Sequence, residues 1–273
     1  MIDTHCHLTF PEFCDPDRCV QGGIDGTLRL AASHGVTGCI TISTTLPDAR
    51  KALSIAREHD RVWCSAGVHP LYADQGPHDW SIAREVGADP KCVAWGELGL
   101  DRHYSEPAFD LQIRVLEEQL AFIRSERARG VVKPIILHCR EAFSDLIPIL
   151  AASELPADRM VFHCFTGDER DMKALLDFGA CVSFTGVITY KNAEAVRSAA
   201  KLAPADRVMV ETDAPFLSPD PHRSTRPCQP WMVSVTLAAL AQAQGRSFDH
   251  MHDIVNANTA RFFGIHDQPE FAS

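Results

Sequence analysis

The sequence has no CxxC pair, no apolar run long enough to cross a bilayer and no excess of basic residues. Its ten cysteines are scattered from Cys6 to Cys228, which argues against a disulfide framework. The opening MIDTHCH shows none of the basic and apolar regions of a secretory signal. We therefore expect reduced thiols, a cytoplasmic location and no membrane association.

The charge balance is acidic, with 26 Lys and Arg against 36 Asp and Glu and a formal net charge of -10. A broad basic surface that holds duplex nucleic acid without sequence preference is therefore not expected. Any phosphate recognition has to be local, or has to use the charge of bound metal ions. The length of 273 residues and the 45% hydrophobic content predict a globular chain, and no linker divides it, so we expect one domain over 1–273.

Short apolar, β-branched segments alternate with segments of helical periodicity along the whole chain. This alternation predicts an α/β fold with a parallel sheet, and eight strands are the number that closes a (β/α)8 barrel. The predicted strands are residues 1–7, 38–43, 62–69, 93–100, 134–140, 160–165, 181–188 and 208–214.

The helical segments are predicted from apolar stripes. Phe109, Ile113, Leu116, Leu120 and Ile123 recur at spacings of four and three, which predicts a long helix that ends near Gly130. Residues 47–56 predict a helix that begins at a proline. Residues 217–230 contain four prolines and predict a long structured loop, and residues 254–264 predict an extra C-terminal helix on the outside of the barrel.

Ionisable residues lie near the carboxyl ends of the predicted strands, where (β/α)8 barrels build their active sites. Such residues are costly to bury unless they are paired or bind a cation. One shared cation site would give all of them a partner. The residues are His5, His7, His69, Glu97, His138, His163 and Asp213.

His5 and His7 are two residues apart, so an extended strand points both imidazoles to the same face. By the same alternation, Cys139 and Cys164 should face the surrounding helices and pack in the core. The mixed set of imidazoles and carboxylates suits Zn, Mn or a similar divalent ion. His69 has no obvious liganding role, and the remaining four histidines and two carboxylates exceed the three protein ligands of a typical mononuclear site, which favours two ions.

At these residues the sequence resembles the TatD family of metal-dependent hydrolases, within the amidohydrolase-like barrel superfamily. The resemblance spans nearly the whole chain and rests on motifs in a fixed order. They are DTHCHL at the N-terminus, GVHP at 67–70, GELGLD at 96–101, HCRE at 138–141, HCFTGD at 163–168, ETDAPFL at 211–217 and the C-terminal NTARFFG.

The resemblance implies a somewhat distorted (β/α)8 barrel, one or two divalent ions (Mg, Mn or Zn) and nuclease activity on single-stranded DNA or strand ends. It also implies which residues bind metal. His5, His7 and Asp213 would hold one ion, His138 and His163 the other, and Glu97 would bridge them. Asp213 would orient or deprotonate the attacking water, and Glu97 and Asp213 are thus the expected catalytic residues.

Substrate contacts are less well determined by the sequence. His69 is expected either to contact a substrate phosphate or relay a proton, or to make a structural hydrogen bond. Arg102, Arg140 and Arg223 are expected to fork onto phosphate oxygens, with Arg226 a further candidate. The sequence departs from the family pattern at Arg102-His103 and Cys228-Gln229. For stacking on a base, the candidates are Tyr104, Phe165 and Phe216.

Two other enzymatic hypotheses stay open: a D-aminoacyl-tRNA deacylase, and a small-molecule amidohydrolase or lactonase. Many binuclear relatives of the latter type bridge their ions with a carbamylated lysine on strand four, where this chain has Glu97. Lys91 and Lys133 precede their strands and should lie at the opposite barrel mouth. A non-catalytic metal-binding or scaffold protein is disfavoured, because structural metal sites are usually closed cages. No obligate protein partner is evident.

Overall fold

A computed structural model of the chain describes residues 1–265. Within this part, eight strands form one parallel sheet in sequential order, which confirms the predicted (β/α)8 barrel. The predicted single domain runs to residue 273, and residues 266–273 lie outside the described part. The strands are β1 (Ile2–Cys6), β2 (Gly38–Thr41), β3 (Val62–Ala66), β4 (Cys92–Asp101), β5 (Ile135–Arg140), β6 (Met160–Phe162), β7 (Cys181–Phe184) and β8 (Val208–Val210).

Helices follow the strands and form the outer layer. The predicted long helix spans Phe109–Ala128, and the proline-initiated one spans Leu46–Glu58, where the Thr45 side chain caps the first turn by accepting from the Asp48 amide. The helices are α1 (Pro11–Cys14), α2 (Gly23–Ser33), α3 (Leu46–Glu58), α4 (Trp80–Gly87), α5 (Phe109–Ala128), α6 (Phe143–Ala152), α7 (Glu169–Phe178), α8 (Glu194–Ala200), α9 (Val233–Ala243) and α10 (Phe248–Phe263).

Most strand boundaries agree with the prediction, but several strands end earlier at the carboxyl side. β3, β6, β7 and β8 stop at residues 66, 162, 184 and 210, whereas the alternation predicted 69, 165, 188 and 214. Cys164 and Asp213 have φ values of 46° and 59°, which an extended strand cannot contain. The chain therefore turns at the site itself, and side-chain directions there do not follow strand alternation.

The barrel interior is filled by apolar side chains from the strands, including Ile40, Ile136 and Met209. The C-terminal helix α10 packs on β8 and α9 on the outside of the barrel, as predicted. Phe262 and Phe263 at its end join the interior cluster and close the amino-terminal end of the barrel. This leaves the carboxyl end as the open face of the barrel.

The seam between β8 and β1 is closed mainly by contacts beyond the strands and by side chains. The described contacts include a single bridge from Cys6 to Ala214, with the Asp213 amide donating to the His5 carbonyl at 2.9 Å. The carboxylate of Asp3 accepts from the Thr212 amide at 2.9 Å and contacts the Thr212 hydroxyl at 2.5 Å. Asp3 therefore acts as a buried latch across the seam.

No helix within residues 1–265 combines the length and the apolar character needed to span a bilayer. The segment 217–230 after β8 is a loop of turns and bends, as predicted, and ends in a short 3-10 turn at Pro230–Met232.

The latch gives a stability prediction. Asp3→Ala leaves the Thr212 amide and hydroxyl buried without their partner, which should cost about 1–3 kcal/mol per unsatisfied group and lower the midpoint of thermal unfolding. Asp3→Asn keeps an acceptor for the amide and a group that can bond the hydroxyl. Burial raises the pKa of Asp3 to about 8, so the wild-type side chain is itself mostly neutral at pH 7. The amide variant should therefore unfold close to wild type, and equal losses in both variants would contradict the latch.

Candidate metal centre

Glu97 lies at the centre of the ionisable residues predicted at the strand ends. Its Oε1 is 2.6 Å from His163 Nε2 and 2.9 Å from His138 Nδ1, and its Oε2 is 3.3 Å from His5 Nε2. Asp213 lies on the other side of His5 and His7, with its Oδ1 3.3 Å from His7 Nε2. Side chains separated by some two hundred positions thus meet in one pocket.

An irregularity in β4 turns Glu97 into the barrel. Trp95 and Leu98 both pack in the outer core, although they are three residues apart, because the register with β5 shifts between them. Trp95 contacts Phe122 of α5, with ring centroids 5.3 Å apart. Strict alternation would have placed Glu97 on the same outer face as Trp95. The shift puts the carboxylate inside instead.

Three of the histidines have their second ring nitrogen fixed by the protein. His138 Nε2 is 3.0 Å from Asp101 Oδ2, and His163 Nδ1 is 3.2 Å from Glu211 Oε1. His7 Nδ1 is 3.0 Å from the Ile42 carbonyl oxygen. If each of these nitrogens carries a proton, the other nitrogen of the ring points toward the carboxylates and can bind a proton or a cation. Metal-ligating histidines usually have this arrangement.

His5 is the strongest sign that a cation fits here. The residue is fully buried, and neither ring nitrogen has a hydrogen-bond partner among the described residues. Its contacts with Glu97 and Asp213, at 3.3 and 3.6 Å, do not have hydrogen-bond geometry. Unpartnered buried polar atoms are rare and costly. An ion between the imidazole and the two carboxylates would give Nε2 its partner.

His69 differs from the other four histidines. Its Nδ1 accepts a hydrogen bond from the Leu71 amide at 3.0 Å, so the neutral ring carries its proton on Nε2. Burial lowers the pKa of His69 to about 3, which keeps the ring neutral. Nε2, 3.1 Å from His138 Nδ1, is therefore a hydrogen-bond donor that faces the centre. This tautomer suits a substrate contact better than metal ligation.

The carboxylates of the centre are held in their ionised form. Burial acts to raise the pKa of Glu97, but the charge of His163 and the hydrogen bond with His138 outweigh it and keep the pKa well below the usual range. The pKa of Asp213 is likewise lowered against its burial, chiefly by the hydrogen bond with His7. Two ionised carboxylates in a buried pocket require positive charge beside them, which protonated imidazoles or a bound cation can supply.

Sequence reasoning missed the residues that hold the centre in place. Asp101 and Glu211 contact the ring nitrogens of His138 and His163. The only sequence signal for them was their position near an expected ligand: Asp101 is four residues after Glu97, and Glu211 is two residues before Asp213. Helix α5 adds two buried glutamines. Gln112 bonds both backbone groups of Asp101, and Gln119 bonds both backbone groups of Val68, which precedes His69.

A cavity of about 590 Å³ opens from the centre to the carboxyl face of the barrel. Its lining includes Arg140, Tyr104 and Phe216 among the predicted substrate contacts. Arg102 and Arg223 are not among the lining residues. Arg102 forks onto Asp145 at 2.7 and 2.8 Å, and Arg223 stacks on a tyrosine outside the cavity.

Two expectations about side-chain direction were wrong. Cys164 lines the cavity and is partly exposed, because the chain leaves the strand before it and its positive φ redirects the side chain. Cys139 packs in the outer core, as predicted. Phe165 is buried against Phe143 and Phe184 and cannot stack on a base.

Comparison with known proteins decides the family. The family model described as "TatD related DNase" matches residues 2–264. The chain belongs to the TatD family. The YcfH metal-dependent hydrolase of Escherichia coli K12 is 34% identical over 265 residues, covering 97% of this chain and 96% of YcfH.

Two further relatives place this TatD chain among proteins with known names or structures. A protein named 3'-5' ssDNA/RNA exonuclease TatD from Erwinia amylovora is 31% identical over 273 residues, covering 97% of this chain and all of that protein. The crystal structure of YjjV, a TatD homologue from Escherichia coli K12, aligns with a TM-score of 0.84 at 26% identity, covering 97% and 98% of the two chains. The chain is therefore a metal-dependent hydrolase of the TatD family.

The centre predicts metal-dependent stability. Exhaustive chelation should lower the thermal midpoint, and added Mn²⁺ or Zn²⁺ should raise it, because an ion at a hundred times its dissociation constant adds about 2.7 kcal/mol to the folded state. Glu97→Gln should lose most of this rise. Glu85→Gln serves as control, since Glu85 pairs with Arg50 on the exposed surface of α4 and α3. A wild-type midpoint that does not respond to either ion would contradict the prediction.

Proposed function

We propose that this TatD-family chain hydrolyses phosphodiester bonds at the ends of single-stranded nucleic acid. The observation that carries the proposal is the pair of carboxylates, one buried among imidazoles and the other open to the cavity. Two divalent ions are the count we propose. Their ligands would be His5, His7, Glu97, His138, His163 and Asp213.

The protein side of the chemistry is a fixed set of donors and acceptors. Divalent ions bound in such a site lower the pKa of a coordinated water and neutralise charge on phosphoryl oxygens. His5, His7 and Asp213 would hold one ion, and His138 and His163 the other, with Glu97 between them. Glu211 also lies within metal-ligand reach of His5 and His163, as His69 does of Glu97 and His138. We assign Glu211 to orienting His163, whose Nδ1 is 3.2 Å from its Oε1, and His69 to the substrate.

Asp213 is the residue that we assign as general base. Both carboxylates line the cavity, but the Asp213 side chain is 15% exposed against 2% for Glu97, so Asp213 is the more accessible of the two to a water there. The lowered pKa of Asp213 means that the carboxylate is ionised at neutral pH, which is the form a base requires. The contact of its Oδ1 with His7 Nε2, at 3.3 Å, holds the carboxylate beside the centre.

Donors for the phosphate come from His69 and Arg140. His69 lines the cavity, and its Nε2–H lies 3.1 Å from His138 Nδ1; with His138 Nδ1 bound to an ion, this neutral donor would be available to a phosphoryl oxygen. Arg140 lines the same cavity, and its guanidinium makes no ion pair with any carboxylate of the described chain. Arginine forks suit phosphate because two parallel N–H bonds match its oxygens.

The choice of nucleic acid rests on relatives and on aromatic residues. Two relatives at 31% and 34% identity are named 3'-5' ssDNA/RNA exonuclease. At the cavity mouth, Phe10 and Phe216 form an edge-to-face pair with centroids 5.7 Å apart, and Phe216 is 46% exposed. An exposed ring of this kind can stack on an unpaired base. The net charge of -10 disfavours binding to duplex nucleic acid, which usually needs a basic surface.

The positions of Lys91 and Lys133 argue against the lactonase alternative. Lys91 Nζ donates to the carbonyls of His59, Asp60 and Val62, and Lys133 Nζ donates to the Cys92 carbonyl. Both amines therefore lie at the amino-terminal mouth of the barrel, far from Glu97. Neither can supply a carbamate bridge to the centre, so the ion bridge would be the glutamate.

The proposed base gives a first activity prediction. Asp213→Asn should lower kcat on a single-stranded oligonucleotide by about 10²–10⁴-fold, because it removes the proton acceptor. Glu97→Gln should lower activity at least as much, because it removes the shared ligand. Circular dichroism should show both variants folded. Glu141→Gln is the control at the cavity rim, where Glu141 pairs with His103, and it should stay within a few-fold of wild type. Wild-type rates in Asp213→Asn would remove the mechanism.

The substrate prediction is a preference for single strands. With metal present, the protein should cleave a single-stranded oligonucleotide faster than the same sequence in blunt duplex form, because the acidic surface offers the flanking duplex little attraction. The same panel should include RNA, a D-aminoacyl-tRNA and a simple lactone. Equal turnover of duplex and single strand, or ester cleavage without nuclease products, would count against the proposed function.

A further inference from the structure

A second aromatic and basic surface lies beside the cavity and is not part of the centre. We define it as the β7–β8 patch, formed by Tyr190, which follows the short 3-10 turn Gly186–Thr189 after β7, and by Arg223 and Arg226 in the long loop after β8. The two arginines are exposed, and within residues 1–265 neither makes an ion pair with a carboxylate. In a chain with net charge -10, such unneutralised cations are available to an anion.

The patch is ordered by a stack. The guanidinium carbon of Arg223 lies 3.5 Å from the centroid of the Tyr190 ring. Stacking covers one flat face of the guanidinium and leaves its N–H edge free, which is the edge that forks onto phosphate oxygens. Arg226 also lies close, since its charge and that of Arg223 both act to lower the pKa of Tyr190 against the larger effect of burial.

The patch is continuous with the cavity wall. Val187 of the 3-10 turn and Leu217 of the long loop both line the cavity. The two segments pack with no side chain between them at Gly186, because a Cβ there would collide with the Leu217 carbonyl oxygen. The Asp220 amide also donates to the Thr189 hydroxyl at 2.8 Å. One rigid ledge therefore runs from the cavity wall to Tyr190.

A similar pair on the other side of the barrel lies within the cavity itself. Arg140 is 5.3 Å from the Tyr104 ring centroid, and both residues line the cavity between the ends of β4 and β5. The Arg140–Tyr104 pair lines the cavity, whereas the Arg223–Tyr190 pair lies outside it. A terminal nucleotide can fill the cavity beside Arg140, whereas only a strand that continues out of the cavity over the ledge can meet Arg223.

We propose that the β7–β8 patch binds the phosphate backbone of the single strand next to the nucleotide being removed. Arg223, held by Tyr190, takes one backbone phosphate, and Arg226 adds to the local positive charge. The proposal rests on the proposed nuclease function and adds a direction to it: the strand end enters the cavity and the remainder leaves across β7 and β8. Arg223 contacts the strand away from the reacting phosphate, and Tyr190 is a positioning residue that acts through Arg223.

The test compares substrates of different length. For a ten-nucleotide single strand, Arg223→Ala should raise KM about tenfold with little change in kcat, the size expected for one charged hydrogen-bonded contact. For bis(p-nitrophenyl) phosphate, which has no flanking nucleotides, the variant should match wild type. The slope of log affinity against log salt for the ten-nucleotide strand, measured by fluorescence anisotropy, should become less negative by about 0.7.

Substrate and protein changes are then combined. Ten-nucleotide strands, each with one neutral methylphosphonate linkage at a different position from the end, should identify a position where wild type loses affinity and Arg223→Ala loses nothing further. Tyr190→Phe should behave as wild type, because the ring holds the guanidinium, and Tyr190→Ala should resemble Arg223→Ala. Arg246→Ala is the matched control, since Arg246 is an exposed arginine beside Gln244, which bonds the chain before β8 at the amino-terminal end of the barrel.

The outcomes separate this proposal from the proposed function. Equal loss on both substrates, wild-type KM on the ten-nucleotide strand, or an additive effect at every methylphosphonate position would overturn the patch and leave the nuclease assignment standing. If wild type cleaves neither substrate, the nuclease assignment fails. The anisotropy measurement then decides the patch by itself, and equal affinity of wild type, Arg223→Ala and Arg246→Ala for the strand would overturn it.

Discussion

The carboxylate of Glu97, buried among imidazoles, is the constraint on which the rest of the site depends. Removing such a charge from water is expensive, and it is tolerated only where opposite charge and hydrogen bonds surround it. His163 and His138 approach it within hydrogen-bonding distance, and His5 faces it without a hydrogen bond of its own. The pocket therefore requires positive charge next to the Glu97 carboxylate, which agrees with a family of metal-dependent hydrolases.

The scaffold fixes this charge cluster through contacts behind it. Asp101 and Glu211 orient two of the imidazoles, and Gln112 holds the backbone of Asp101 from helix α5. Gln119, two turns further along the same helix, holds the loop that carries His69. The outer helix thus sets the position of residues at the end of β4 and in the loop after β3. Small displacements in such supporting contacts are enough to spoil a catalytic geometry.

The sequence alone was sufficient for the barrel, its eight strands and the list of residues that meet at its mouth. Periodicity and the position of ionisable residues at strand ends contain that information. It could not predict how β4 shifts register between Trp95 and Leu98, nor the positive φ that turns Cys164 into the cavity. Both depend on packing between distant strands. Partner residues such as Glu211 were missed for a similar reason, because their role exists only once the imidazoles are in place.

The seam between the first and last strands has a consequence for motion. His5 and His7 lie on one side of it and Asp213 on the other, and few backbone bonds cross between them. A fluctuation that parts these strands also parts the residues proposed to share an ion. Barrel closure and ion retention are then coupled, so a bound ion would stabilise the pairing of the first and last strands. Transient opening between these strands would in turn set the rate of ion dissociation.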